Sequence, residues 1–300
     1  MATVMQTDEF LLPMPENIPG VLGVSPPTEP LIPLVFDSPH SGLELPADFY
    51  PAVDAETVRV SADTYVNDLF SAAPEHGAPL LRALFPRSFL DPNRSLADMD
   101  AALIEGAWPY HLRESNTARR GMGLIWRNAW VEMPMYDRKL AITEARDRIR
   151  RYWLSYHMAL RQLLDGAFAQ FRMVYHLNCH SMTNAGHAMS SDGPGSARAD
   201  ICVGDLHGVS AGAEFTAILC ELLEREGFRV AMNKPFRGAE LTEAYANPAI
   251  GRHAIQFEIN RRLYMNEETR ERSADYPDFK QAMSRLIAEL AEYIRQKVRR

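Results

Sequence analysis

Three hundred residues, 46% hydrophobic and 24% charged, suit one large or two small globular units with a sizeable buried core. A formal net charge of -7, with no long run of Lys or Arg, leaves no electrostatic footprint for nucleic acid, which is therefore an unexpected partner. No stretch approaches the roughly 18 consecutive apolar residues of a membrane span. Three cysteines, Cys179, Cys202 and Cys220, without CxxC spacing indicate neither a disulfide framework nor a thiolate zinc site, which fits a reducing cytoplasm.

Residues 1–30 hold Pro13, Pro15, Pro19, Pro26, Pro27 and Pro30 with only short apolar clusters, which predicts an extended proline-rich arm. Its acidic residues and prolines are unlike a targeting segment. Residues 31–300 show no sharp linker and no internal repeat, so a single α/β domain with strands and helices interleaved is expected. The apolar run Leu31 to Phe36 breaks into Asp37, Ser38, Pro39, His40, Ser41 and Gly42, a buried strand ending in a tight turn that presents an imidazole. From Glu56 to Ala73, Val58, Val66, Leu69, Phe70 and Ala73 form a helical stripe, with Asp63 near its beginning. PLLRALFPRSFLDPNR reads as two short strand-like pieces split by Pro86. Ala97 to Arg127 is irregular, and within RRGMGLIW Gly121 and Gly123 permit a close turn before a short apolar strand.

Arg138 to Phe171 repeats apolar residues at steps of three and four, from Leu140 to Phe168, and predicts a helix with a wide buried face. In MVYHLNCHS the alternation places His176, Asn178 and His180 on one face of a strand ending at His180. A Gly/Ser/Asp-rich loop follows. ADICVGD, FRVAMN and HAIQFEIN then read as strands, and Ala211 to Glu226 and Phe279 to Val298 as helices.

Polar residues at strand ends deserve a chemical reading, because ligands of open α/β sheets gather at the carboxyl ends of strands. His40, Asn93, Arg94 and His180 fall at such ends, and Glu258 lies inside a late strand. Two histidines and one carboxylate, with a fourth position left for water, are the donors of a catalytic zinc site. His40 and His180 are the candidate nitrogens. Spacing alone leaves two carboxylates open, Glu44 four residues after His40 and Asp63 at the next helix. Plainer readings exist for each: a turn cap for His40, a helix N-terminus for Asp63 and a surface charge for Arg94. His157 and His176 read as structural, and His187 as a loop residue with at most a gating or oxyanion role.

The segments PHSG, DPNR, NCHSM, ICVGDLHG, NKPFRGAELTEAY and QFEINRRLYM, in this order from about Val35 to Tyr264, resemble the N-formylglutamate amidohydrolase family. That family is similar in fold to the zinc carboxypeptidases and to the aspartoacylase and succinylglutamate desuccinylase group, which implies an α/β fold with a mixed central sheet flanked by helices. The resemblance implies His40, Asp63 and His180 as ligands of one Zn2+, and Glu258 as the catalytic base. It also implies Asn93, Arg94 and Arg261 as the clamp for substrate carboxylates. The expected activity is hydrolysis of the formyl amide of N-formyl-L-glutamate, as in histidine degradation; the alternatives are another N-acyl amino acid or a non-catalytic ligand-binding relative. Two departures stand out. Leu43 occupies the place where the carboxypeptidase pattern has a glutamate, so Asp63 is preferred over Glu44 as third ligand. NCHS replaces DLHS, and loss of that Asp is expected to weaken orientation of His180.

Overall fold

A computed structural model of the chain describes residues 13–299. Its centre is a seven-stranded mixed sheet in the order β1-β3-β2-β6-β9-β7-β8. The strands are β1 (Leu22–Ser25), β2 (Leu34–Ser38), β3 (Leu80–Ala83), β6 (Val174–Met182), β7 (Ile201–Gly204), β8 (Val230–Met232) and β9 (Arg252–Asn260); β4 (Asn128–Trp130) and β5 (Met133–Pro134) form a separate small hairpin. β3, β2, β6 and β9 run parallel, whereas β1 is antiparallel to β3 and β7 antiparallel to β9. The mixed sheet flanked by helices is the expected fold class. Within the expected arm, Leu22–Ser25 form the edge strand β1, and residues 1–12 lie outside the described residues.

The helices are α1 (Ala55–Arg59), α2 (Val66–Leu69), α3 (Asn116–Arg119), α4 (Ile142–Arg148), α5 (Leu154–Phe171), α6 (Ala213–Arg225), α7 (Glu240–Glu243) and α8 (Tyr276–Val298). Strand alternation divides the core. Phe36, Leu177, Cys179, Ile255, Phe257 and Ile259 pack on one face against α2, α6 and α8, where Leu219, Leu223, Met283, Leu286 and Leu290 form the helical stripes. On the other face Val35, Leu81 and Val174 meet α5 and the loop-rich excursion through Phe85, Phe89 and Leu124. Truncating a fully buried Leu such as Leu286 to Ala would cost about 2–5 kcal/mol.

Three elements depart from the sequence reading. The stripe from Glu56 to Ala73 is broken between α1 and α2, because Tyr65 turns into the left-handed region at φ 68° and Asp63 is drawn inward by tertiary bonds. The piece after Pro86 is a series of turns: Phe89 bonds back to Pro86, and Asp91 bonds across to Leu124. β6 continues to Met182, so His180 is an in-strand residue. The long helix is present as α4 and α5 joined without a break by a wider π-turn at Ile149–Trp153.

Candidate metal centre and carboxylate cleft

β6 and β9 are adjacent and in register over nine residue pairs, with His180 opposite Glu258 and Asn178 opposite Gln256. Registered side chains on neighbouring parallel strands share a face. Asp37 is likewise paired with Asn178, so β2, β6 and β9 turn a line of polar groups toward the α5 side. His40 follows two residues after β2 in a turn that passes close to the end of β3. A Cβ on Gly42 would sit 2.3 Å from Phe85 O, so only glycine lets this turn pass. The break after α1 brings Asp63 to the turn: Asp63 N–H donates to His40 O at 2.9 Å, and Ser41 Oγ donates to Asp63 O at 3.2 Å.

His40, Asp63 and His180, all buried, each offer a donor atom within 4.8 Å of the others. Nδ1 of His180 lies 3.0 Å and Nδ1 of His40 3.4 Å from the same oxygen, Asp63 Oδ2. The opposite ring nitrogens are held from behind. His40 Nε2 donates to Asp91 Oδ1 at 2.7 Å, and His180 Nε2 to Asn178 Oδ1 at 2.7 Å. Protonation at Nε2 leaves the Nδ1 lone pairs facing Asp63, and His40 Nδ1 is buried without a hydrogen-bond partner. Two neutral imidazole nitrogens and a carboxylate oxygen are the donor set of a borderline divalent cation, so the group could hold a metal. Glu44 is exposed and does not belong to it.

The supporting shell is dense. Burial alone would raise the Asp63 carboxyl, but the imidazoles of His180 and His40 set against it hold it well below its usual range. Its Oδ1 accepts from Arg261 Nη2 at 3.1 Å and from Ser181 Oγ at 3.3 Å. Arg261, expected on a substrate carboxylate, is therefore turned onto Asp63, with further bonds to Ser181 Oγ and Ala62 O. Orientation of His180 is kept without the Asp of DLHS: Asn178 accepts its Nε2–H and donates Nδ2 to Asp37 Oδ1 at 2.8 Å. Asp37 also accepts from His176 Nε2 at 2.8 Å and Tyr156 OH at 2.7 Å, all in the buried interior. A neutral acceptor thus stands where a carboxylate was expected, with the carboxylate one bond further back.

Glu258 is 5% exposed, accepts from Gln256 Nε2 at 2.7 Å, and is pushed up to about 8 by burial first and the negative charge of Asp63 second. A carboxyl so poised exchanges protons near neutrality. Asn93 lies beside it, its Oδ1 accepting from Leu241 N–H at 2.9 Å and its Nδ2 3.1 Å from His180 Nε2. Arg94 points into the same cleft and reaches only to 4.0 Å from Asp91 Oδ2.

Several residues of the site were not legible in the sequence. Asp91 lies 51 residues from His40 and accepts from Arg87 Nη2 at 2.7 Å through its second oxygen. Burial would raise this carboxyl, but Arg87 and His40 hold it well below the usual range. Trp153, on the π-turn, donates Nε1–H to Arg94 O at 2.9 Å, and His157 donates Nε2–H to Pro92 O at 2.8 Å. Their rings stack at 3.5 Å. Together they brace the loop that carries Asn93 and Arg94. In the sequence both look like helix-face residues, and only the DPNR motif marks the loop that they hold.

The cleft around these groups measures about 1050 Å³ and is walled by Trp126, Trp130, His187 and several arginines. His187 lies against Trp130 at 4.9 Å at its rim. A mixed α/β sheet at whose central strands and adjoining turns a His–Asp–His cluster gathers beside a proton-exchanging carboxyl defines a hydrolase-type site able to hold a divalent cation. The chain belongs to the N-formylglutamate amidohydrolase family, whose model matches residues 32–265. It is 40% identical, with a TM-score of 0.88, to the crystal structure of N-formylglutamate amidohydrolase from Ralstonia eutropha, covering 93% of this chain and 99% of that one. It is 29% identical to N-formylglutamate deformylase of Pseudomonas putida over 79% of this chain and 83% of the relative. The deformylase of Pseudomonas aeruginosa is 27% identical over 87% and 92%. A gene product of Agrobacterium tumefaciens, 15% identical with a TM-score of 0.63, shares the fold.

Proposed function

We propose that this enzyme hydrolyses the formyl amide of N-formyl-L-glutamate to formate and L-glutamate, using one Zn2+ held by His40, Asp63 and His180. The observation that carries the reading is the convergence of two imidazole Nδ1 atoms on Asp63, with Glu258 in register beside His180. Membership of the family and the names of the relatives supply the substrate. When bound, the ion supplies Lewis-acid polarisation of the formyl carbonyl and lowers the pKa of water.

The remaining chemistry belongs to side chains. Glu258 accepts a proton from the attacking water, whose oxygen joins the formyl carbon; the C–N bond then breaks, and Glu258 returns the proton to the departing amine. Gln256 fixes one oxygen of Glu258, leaving the other for this exchange. Asn93 and Arg94 face the substrate, with Arg94 taking a carboxylate through its planar fork. Arg261 donates to Asp63 Oδ1 and orients it. The test is formate release from N-formyl-L-glutamate by purified protein, with and without a chelator, alongside metal analysis. Release that is abolished by chelation and restored by about one equivalent of zinc supports the reading. Release that is indifferent to chelation refutes the metal role, and equal rates on acetyl and succinyl conjugates refute a dedicated formyl enzyme.

A further inference from the structure

Most of the arginines that wall the cleft already have counterions. Arg87 is paired with Asp91, Arg198 with Asp192, Arg261 with Asp63 and Arg262 with Asp200, while Arg237 is exposed to water. Arg94 and Arg120 differ. Each has a buried Nε with no hydrogen-bond partner, and among the described residues Arg120 has no ion pair at all. Arg94 is pushed down by burial, which the negative charge of Asp91 and, less strongly, of Asp98 offsets only in part, while the positive charges of Arg87 and Arg120 add to it. Two cations that repel one another at the wall of a cleft, each with donors unmet, cost free energy until an anion arrives.

Their relative placement is built in. Arg120 closes α3 just before Gly121, which turns at φ +87° and where a Cβ would strike the Asn128 side chain at 2.7 Å. Ser115, the N-cap of α3, is held by Asp98, which accepts from its N–H at 2.7 Å and from its Oγ at 2.8 Å. Leu124 N–H donates to Asp98 O at 2.6 Å, and Asp91 N–H donates to Leu124 O at 2.7 Å. The loop bearing Arg120 is thereby stitched to the loop bearing Arg94. Asp98, a nearby carboxylate, has both oxygens engaged by Ser115 and makes no ion pair with either guanidinium among the described residues.

Resting on the proposed activity, we infer that the cleft is a two-carboxylate reader in which Arg94 binds the α-carboxylate of the substrate and Arg120 binds its side-chain carboxylate. The order follows from bond count and placement. The α-carboxyl carbon is three bonds from the formyl carbon and the side-chain carboxyl carbon five. Arg94 lies beside Asp91, which itself touches His40, whereas Arg120 enters from the outer loop. Specificity for an acidic over a neutral side chain therefore resides in Arg120.

The experiment compares kcat/KM for N-formyl-L-glutamate and N-formyl-L-glutamine in the zinc-loaded wild type, Arg120→Gln and Arg120→Lys. It also compares inhibition of the wild type and Arg120→Gln by glutarate and butyrate, which reads binding apart from turnover. The Glu-to-Gln preference is expected to fall on the order of a hundredfold in Arg120→Gln and to recover in part in Arg120→Lys, and the advantage of glutarate over butyrate is expected to vanish. An equal drop on both substrates, or an unchanged preference, overturns the assignment. A wild type that releases formate from neither substrate refutes the proposed activity instead, and glutarate binding then still decides the role of Arg120.

Discussion

The two sides of the cleft are built on opposite terms. Beneath the His–Asp–His cluster, Asp37 accepts from Tyr156, His176 and Asn178, and Asn178 in turn orients His180. Across from it, the buried Nε of Arg94 and of Arg120 have no hydrogen-bond partner, Arg94 reaching Asp91 only at 4.0 Å and Arg120 making no ion pair among the described residues. A buried network gathered on one carboxylate is rigid, since losing that carboxylate leaves its donors desolvated and unpaired. An unsatisfied wall gains its missing partner from outside. The first arrangement holds in place a group that could bind a metal; on the proposed reading, the second offers its free donors to a substrate anion.

That contrast can be broken at several points. The largest effect is expected at Glu258: on the proposed reading Glu258→Gln keeps the metal content of the wild type, measured by metal analysis, and loses about a thousandfold or more in kcat. An active Gln variant with wild-type metal content would remove Glu258 from the proton path. Next is Asp37→Ala, which strands three hydrogen-bond donors in the interior. It should lower unfolding free energy in urea by about 3 kcal/mol or more. A loss under 1 kcal/mol would show that the network is not structural in the way described.

His157 lies at the joint, holding the Arg94 loop through Pro92 O. Burial pushes it down to about 4 from its usual 6.5, so the neutral ring is the folded form. Its stabilisation is complete above pH 6.5 and is lost as pH falls toward 4, because the unfolded chain takes up the proton first. The span corresponds to about 3 kcal/mol. Urea titrations at pH 7 and pH 4.5 should therefore show a smaller pH dependence in His157→Gln than in wild type; identical slopes would remove His157 from the linkage. The smallest effect is expected at Arg120. Arg120→Gln should keep the unfolding free energy within about 0.5 kcal/mol, or raise it, since an uncompensated cation is removed. A loss comparable to that of Asp37→Ala would place Arg120 in the scaffold.

Much of the fold was legible because its signals are local. The stripes of the long helix and of α8, and the alternation of β6 and β9, repeat at the helical and strand periods and survive in the structure. The stripe from Glu56 to Ala73 misled because it is discontinuous: the bonds that draw Asp63 to His40 outweigh the weak helical preference of a short segment. The site was partly legible for the same reason. His40, His180 and Glu258 sit where strand patterning expects apolar residues, and Asp63 entered through a family resemblance that the cluster accords with.

The amino-acid sequence by itself determined the interleaved α/β pattern, the polar face of His176, Asn178 and His180, and the family to which the chain belongs. Only the tertiary structure decided that Asp63 rather than Glu44 lies with the two histidines, that Asp91 and Asn178 hold their outer ring nitrogens, and that Arg261 serves Asp63 while the Nε of Arg94 and of Arg120 finds no hydrogen-bond partner. The reason is physical. Periodicity records which face of an element is buried, whereas ion pairing and hydrogen bonding depend on distances between groups such as Asp63 and Arg261, 198 residues apart, which no local pattern carries.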